Sequence, residues 1–239
     1  MRKTLFSGIA ACLLATAATA AEQSPSVIWT VGQADRSASE FALAPDRFRD
    51  FLANDFGYED KYFLVGHSVP AADFPYVLPG PADTWGGTWP TSGWRTHQVN
   101  ILFGLKEIPS DGTCTLVVDL LDYAKNFLPL VKVSVNTQDA KFQLDAPGLC
   151  VADQRKPNQM EKIVDTLSIT GNLAKATPRR LEIPIRPGVL KAGGNEVTIT
   201  VLEGSWILFD RVSLEGPAGT NVEQPQQLFI RNIEAAPYE

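Results

Sequence analysis

The chain is poor in the residues that carry most metal and redox chemistry. Its 239 residues include two histidines, two methionines and three cysteines. No pair among these has the spacing of a zinc site. Gly-x-Ser-x-Gly, His-Glu-x-x-His and phosphate-loop motifs are absent, which removes the common hydrolase, metalloprotease and nucleotide-binding signatures. Positive charge is scarce as well. Lys+Arg number 21 against 27 Asp+Glu, a net charge of −6, and the pI is near 5.0. That balance disfavours nucleic acid and anionic membrane surfaces as partners. After the first 20 residues no apolar run approaches the ~20 residues of a membrane span.

The start of the chain reads as an export signal, residues 1–20. Arg2 and Lys3 precede the apolar stretch Leu5 to Ala18, and Ala18-Thr19-Ala20 fits a small-residue cleavage site. Ile9-Ala10-Ala11-Cys12 resembles a lipoprotein box, but the apolar stretch continues well past Cys12, so soluble export to the periplasm or medium is the expectation. Residues 21–26 read as a disordered lead-in. Cys114 and Cys150 then remain. In an oxidising compartment they suit one disulfide worth about 3–4 kcal/mol; the alternative is two separate thiols, one in a strand core and one in a loop.

With 44% hydrophobic and 20% charged residues, the composition suits one sizeable core. Period-two alternation predicts strands at Val27–Val31, Ser39–Leu43, Lys61–Val65, Gln98–Phe103, Thr113–Leu121, Leu130–Val135, Lys162–Ile169, Arg180–Ile185, Glu196–Leu202 and Trp206–Leu214. The clearest is Val131-Lys132-Val133-Ser134-Val135. A short helix is expected over Asp46–Leu52, capped by Asp46. Residues 146–160 and the tail from Thr220 look irregular, the tail carrying an edge-strand candidate at Leu228–Ile230. Short strands between Gly/Pro turns, without helices alternating between them, predict an all-β fold: an antiparallel β-sandwich of the galactose-binding-like jelly-roll type over residues 27–217, with 218–239 as a C-terminal tail.

Three constellations stand out. Residues 64–97 hold Trp85, Trp89, Trp94, Tyr76, both histidines and many Gly and Pro. Aromatic rings on loops suit sugar recognition, because sugar C–H faces pack on a π face; burial as a satellite core is the competing arrangement. Ligand contact is expected from Trp85, Trp89, Trp94, Tyr76, His67, Asp73 and Arg95, with Arg95 and Lys61 suited to an acidic sugar. Second, Asp210 shares a strand face with Trp206, Leu208, Val212 and Leu214, where an unpaired carboxylate is costly. Glu40 and Asp210 together suit a structural Ca²⁺; a salt bridge or turn cap serves equally. No other cofactor is required. Third, His67 and His97 have Asp73 and Asp83 nearby in sequence, but such histidines more often orient ligands, and no catalytic residue is assigned.

Several motifs resemble the carbohydrate-binding-module-like third domain of rhamnogalacturonan lyases, polysaccharide lyase family 4. They are Trp29-Thr30-Val31-Gly32-x-x-Asp35-x-Ser37-x-x-Glu40-Phe41; Phe63-x-Val65-Gly66-x-Ser68-x-Pro70-x-x-Asp73-Phe74-Pro75-Tyr76; Pro79-Gly80-Pro81-x-Asp83; Thr115-Leu116-x-Val118-Asp119-Leu120-Leu121-Asp122; Leu190-Lys191-Ala192-Gly193-x-Asn195; and Gly204-Ser205-Trp206-x-Leu208-x-Asp210. The resemblance implies a jelly roll associated with pectic or related plant polysaccharide. It does not imply lyase activity, because that family's catalytic residues belong to a separate N-terminal sandwich for which this chain has no room. The stretch Gly86–Trp94, the two cysteines and the tail depart from the pattern. The expectation is an exported module that binds poly- or oligosaccharide. A small lyase or hydrolase of the same fold, or a protein-interaction domain of an export or surface assembly, are the alternatives.

Overall fold

The computed structural model describes residues 26–48, 61–83, 97–109, 113–145 and 167–224. Ten strands lie within them: β1 (Ser26–Gly32), β2 (Lys61–Leu64), β3 (Val77–Leu78), β4 (Gln98–Leu105), β5 (Thr115–Tyr123), β6 (Leu130–Val135), β7 (Gln138–Gln143), β8 (Arg179–Pro184), β9 (Gly193–Glu203) and β10 (Ile207–Gly216). They form two five-stranded sheets. One runs β1-β10-β5-β8 with β3 added to β10; the other runs β2-β4-β9-β6-β7. Among the described residues α-helix is confined to the single turn Pro70–Asp73 and to Phe48. The expected all-β sandwich is the observed fold. Every strand pair is antiparallel except β2 with β4, which is parallel.

The sequence pattern explains the layering. In β6 the valines 131, 133 and 135 are buried and their neighbours half-buried, as period two dictates when one face meets a core. Val99, Ile101 and Phe103 on β4 and Val197, Ile199 and Val201 on β9 complete that side. They belong to the same core as Trp29, Val31, Leu116, Val118, Leu120, Val212 and Leu214 from the opposing sheet. Each such side chain, taken from water, contributes about 1.5–3 kcal/mol. The outer face of the β1-β10-β5-β8 sheet instead carries charge. Asp119 meets Arg211 at 2.9 Å and Arg180 at 3.3 Å, and both arginines approach Glu215.

Four elements differ from the sequence expectation. Ser39–Leu43 is a turn with one isolated bridge, Ala42 to Pro75, rather than a strand, because its serines and carboxylate bond locally and close the loop. The helix expected from Asp46 is preceded by a 3₁₀ turn at Pro45–Arg47 with Ala44 at its N-cap, so Asp46 sits inside that turn and caps nothing; Phe48 is helical and residues 49–52 lie outside the described set. Of Lys162–Ile169, the described part is a 3₁₀ turn, Leu167–Thr170. Strand β7 was not expected: Gln-Asp-Ala-Lys-Phe-Gln has little apolar alternation, which suits a strand at the sheet edge. The tail begins docked, with Lys106 N–H donating to Asn221 O and Glu223 N–H to Gly104 O. Leu228–Ile230 and the expected export signal, residues 1–20, lie outside the described residues.

The expected Cys114–Cys150 disulfide is not formed at Cys114, which is a free, buried thiol. The path of the chain gives the reason. Gln138, at the start of β7, donates to Pro184 O beside Cys114's end of the sandwich. Strand β7 then runs away from that end, and Asp145 accepts from Tyr123 Oη at the far end of β5. Only four residues separate Asp145 from Cys150, which itself lies outside the described residues.

Candidate functional site

The stretch with the tryptophans is held by two fixed stems. At the first, Asp83 is buried; its Oδ2 accepts from Gly80 N–H at 2.8 Å and its Oδ1 meets Ser205 Oγ at 2.5 Å. At the second, Val201 N–H donates to His97 O at 2.9 Å. Asp83 is therefore a structural clasp. Trp85, Trp89, Trp94 and Arg95 lie outside the described residues.

Tyr76 does not face ligand. It is fully buried, and its hydroxyl donates to Ile169 O at 2.9 Å; burial pushes the phenol well above its ordinary pKa. Phe74, two residues earlier, is a core bolt. Its ring lies 5.5 Å from Phe41, 5.8 Å from Phe63 and 5.2 Å from Phe209, joining a loop and two sheets. Much of the Asp73–Tyr76 motif is thus scaffold. Asp73 Oδ2 accepts from Val69 N–H at 2.7 Å, closing the helical turn. His67 is exposed and sits in a turn, its N–H donating to Leu64 O. Of the described residues expected at a ligand site, His67 alone combines exposure with a side chain free of an assigned structural bond.

Glu40 and Asp210 do come together. Strand β1 ends at Gly32, whose φ of +80° lets the chain turn; a Cβ there would overlap the Phe41 ring and come 2.5 Å from Asp210 O. The following loop is tied by its own polar side chains. Glu40 Oε1 accepts from Gln33 N–H at 2.8 Å, and Asp35 Oδ1 accepts from Ser37 N–H at 2.9 Å. The Ser37 and Ser39 hydroxyls bond each other at 2.8 Å. Arg36, a non-glycine residue at φ 64°, turns its main-chain N–H onto Asp210 Oδ1 at 3.0 Å. Asp210 occupies an irregular step of β10, where the register with β5 shifts around Phe209. Its carboxyl is pushed up to about 6, chiefly by burial, with Asp35, Asp119 and Glu40 adding repulsion against the stabilising Arg36 N–H. One oxygen of each carboxylate is taken, Glu40 Oε1 by the Gln33 N–H and Asp210 Oδ1 by the Arg36 N–H. Among the described residues no group of three His, Cys, Asp or Glu has metal-binding geometry.

Opposite this loop stands the segment 167–177, anchored twice. Ile169 O takes the Tyr76 hydroxyl, and Thr177 N–H donates to Asp122 Oδ1, which also holds Lys125 Nζ at 2.7 Å. Sequence reasoning missed this wall because its apolar residues resemble a strand. The Asn172–Leu173 step, where Asn172 Oδ1 accepts from Ala174 N–H, was the one capping signal present.

A two-sheet, largely antiparallel sandwich of this kind is the architecture of many binding modules. The chain belongs to a particular family within it: residues 27–214 match the family described as CBM-like, polysaccharide lyase family 4, domain III. No curated protein matches the chain. Among solved structures, a family GH115 4-O-methyl-α-glucuronidase, BtGH115A, with specificity for decorated arabinogalactans, aligns at 16% identity and a TM-score of 0.26, over 49% of this chain and 13% of its own. Dimeric latent PorU from Porphyromonas gingivalis aligns at 12% identity and a TM-score of 0.27, over 52% of this chain and 10% of its own. The chain thus spans about a tenth of the length of either.

Proposed function

We propose that this domain binds pectic polysaccharide of the rhamnogalacturonan type without cleaving it, through the stretch bearing Trp85, Trp89 and Trp94. The observation that supports this reading is the pair of stems. Asp83 and His97 are bonded to the loop before β10 and to β9 respectively, so an aromatic, glycine-spaced stretch is presented from rigid anchors, as sugar recognition requires. His67 is the exposed polar neighbour from the same segment. Retardation in affinity gels containing rhamnogalacturonan, with no 235 nm absorbance from unsaturated uronide, is the expected result. Uronide release abolished by His67→Ala would replace the module with an enzyme.

Export is part of the proposal and is checked by N-terminal sequencing of the protein from culture fluid or periplasm, which should begin at Ala21. A Ca²⁺ ion is the cation suited to Glu40 and Asp210, because it accepts two carboxylate oxygens together with carbonyls and water. With only two carboxylates the affinity is weak, and the ion's role is to offset repulsion at Asp210. Millimolar Ca²⁺ at pH 7.5 should raise Tm, and Glu40→Gln should remove the increase. No increase in the wild type would take the cation out of the account.

A further inference from the structure

The loop after β1 and the 167–177 segment line a half-open cavity of about 380 Å³. That is near the lower end of ligand pockets, roughly 300–1,000 Å³, and suits one ring rather than a chain. Its accessible apolar lining is Pro45 and Leu173, half-buried over the buried Leu121 and Leu208, alongside Ser37 and Ser39. Arg36 is the one cation among the described lining residues. It is exposed, and its guanidinium has no ion-pair or hydrogen-bond partner among the described residues, its bond to Asp210 being made by the main chain. Both walls are preorganised: one by the Asp35, Glu40 and Asp210 bonds to main-chain N–H groups, the other by Tyr76 and Asp122.

The geometry points to a second glycan subsite here, taking a single acidic sugar, a hexuronate, with its ring against Leu173 and Pro45 and its carboxylate on Arg36. The inference rests on the reading of the domain as a glycan binder and adds a site and a sugar class to it. A guanidinium matches a carboxylate with two parallel N–H donors, and the partly exposed Leu173 and Pro45 can accept a sugar's C–H face. Serine hydroxyls and the Asp46 carboxylate, which also lines the cavity, suit sugar hydroxyls. Asp46 opposes the anion electrostatically, so the preference over a neutral sugar is modest, about fivefold for an ion pair this exposed.

The test is an amide NMR titration of the ¹⁵N-labelled chain with sodium D-galacturonate and, at matched ionic strength, with D-galactose. Galacturonate should shift the Arg36, Ser37, Ala38, Ser39 and Gly171 amides saturably, about fivefold more tightly than galactose. Arg36→Gln should bring galacturonate down to the galactose level, and Arg36→Lys should keep most of the preference. The main-chain bond to Asp210 survives in both variants, and an unchanged amide spectrum elsewhere verifies the fold. Equal affinity for the two sugars, shifts absent from these amides, or an Arg36→Gln variant that binds galacturonate as the wild type does would each overturn the subsite. The same protein in a rhamnogalacturonan gel separates the two claims. Retardation without galacturonate shifts removes the subsite and spares the domain's function; shifts without retardation do the reverse.

Discussion

Replacing Asp210 with asparagine should stabilise the protein at neutral pH and leave it unchanged in acid. Asp210 is 7% exposed and its carboxyl lies at about 6 in the folded protein, against about 3.9 in an unfolded chain. The folded state therefore holds the proton more tightly. Below pH 4 both states are protonated and the group is neutral in its effect. Between pH 4 and 6 the unfolded chain releases its proton first, so stability falls as pH rises, and above pH 6 the full penalty remains. Two pKa units correspond to about 3 kcal/mol, and solvent relaxation around a loop-facing side chain reduces this to about 1–3 kcal/mol. Asparagine keeps an oxygen for the Arg36 N–H, and its amide donors face the acidic neighbours Asp35 and Glu40. Urea unfolding followed by tryptophan fluorescence, in EDTA at pH 4, 5, 6 and 7.5, gives the difference between variant and wild type. It should be near zero at pH 4 and grow to about 1–3 kcal/mol in favour of the variant by pH 7.5. A difference that does not change with pH, or a variant that is weaker at pH 7.5, would refute the assignment of Asp210 as a strained buried acid.

Tyr76→Phe should cost about 1–2 kcal/mol in the same assay, since it leaves Ile169 O without its donor, while retardation in pectic gels stays unchanged. Phe74→Ala should cost about 3–5 kcal/mol, because a wholly buried ring touching three others leaves a cavity. Cys114, 5% exposed and with its thiol pushed up by burial, should resist a thiol reagent in the native protein and react fully in urea. Rapid native labelling would contradict its placement.

Much of the fold was legible because period two is a direct imprint of a half-buried sheet. Val131–Val135 and Gln98–Phe103 declare their inner faces residue by residue. The misreadings occur where burial and periodicity part company. Ile169 is apolar because it is buried in the core from a 3₁₀ turn, not because it alternates in a strand. Strand β7 is an edge with few apolar residues, so it carried little signal. Tyr76 was expected at a ligand surface, yet it and Phe74 knit loops into the core; an aromatic ring in a loop reads the same in sequence whether it faces sugar or protein. The approach of Glu40 to Asp210 was legible from the cost of a carboxylate on an apolar strand face. The cavity beside them was not, since it needs two loops about 130 residues apart in sequence.

The central claim is recognition of pectic polysaccharide by the stretch between Asp83 and His97. Affinity electrophoresis in rhamnogalacturonan gels, comparing wild type with Trp85→Ala, Trp89→Ala and Trp94→Ala, tests it most directly. The account predicts retardation of the wild type and its loss, by tenfold or so per essential ring, in at least one folded variant. Wild-type mobility unaffected by the polymer, or retardation that all three variants retain in full, would contradict it.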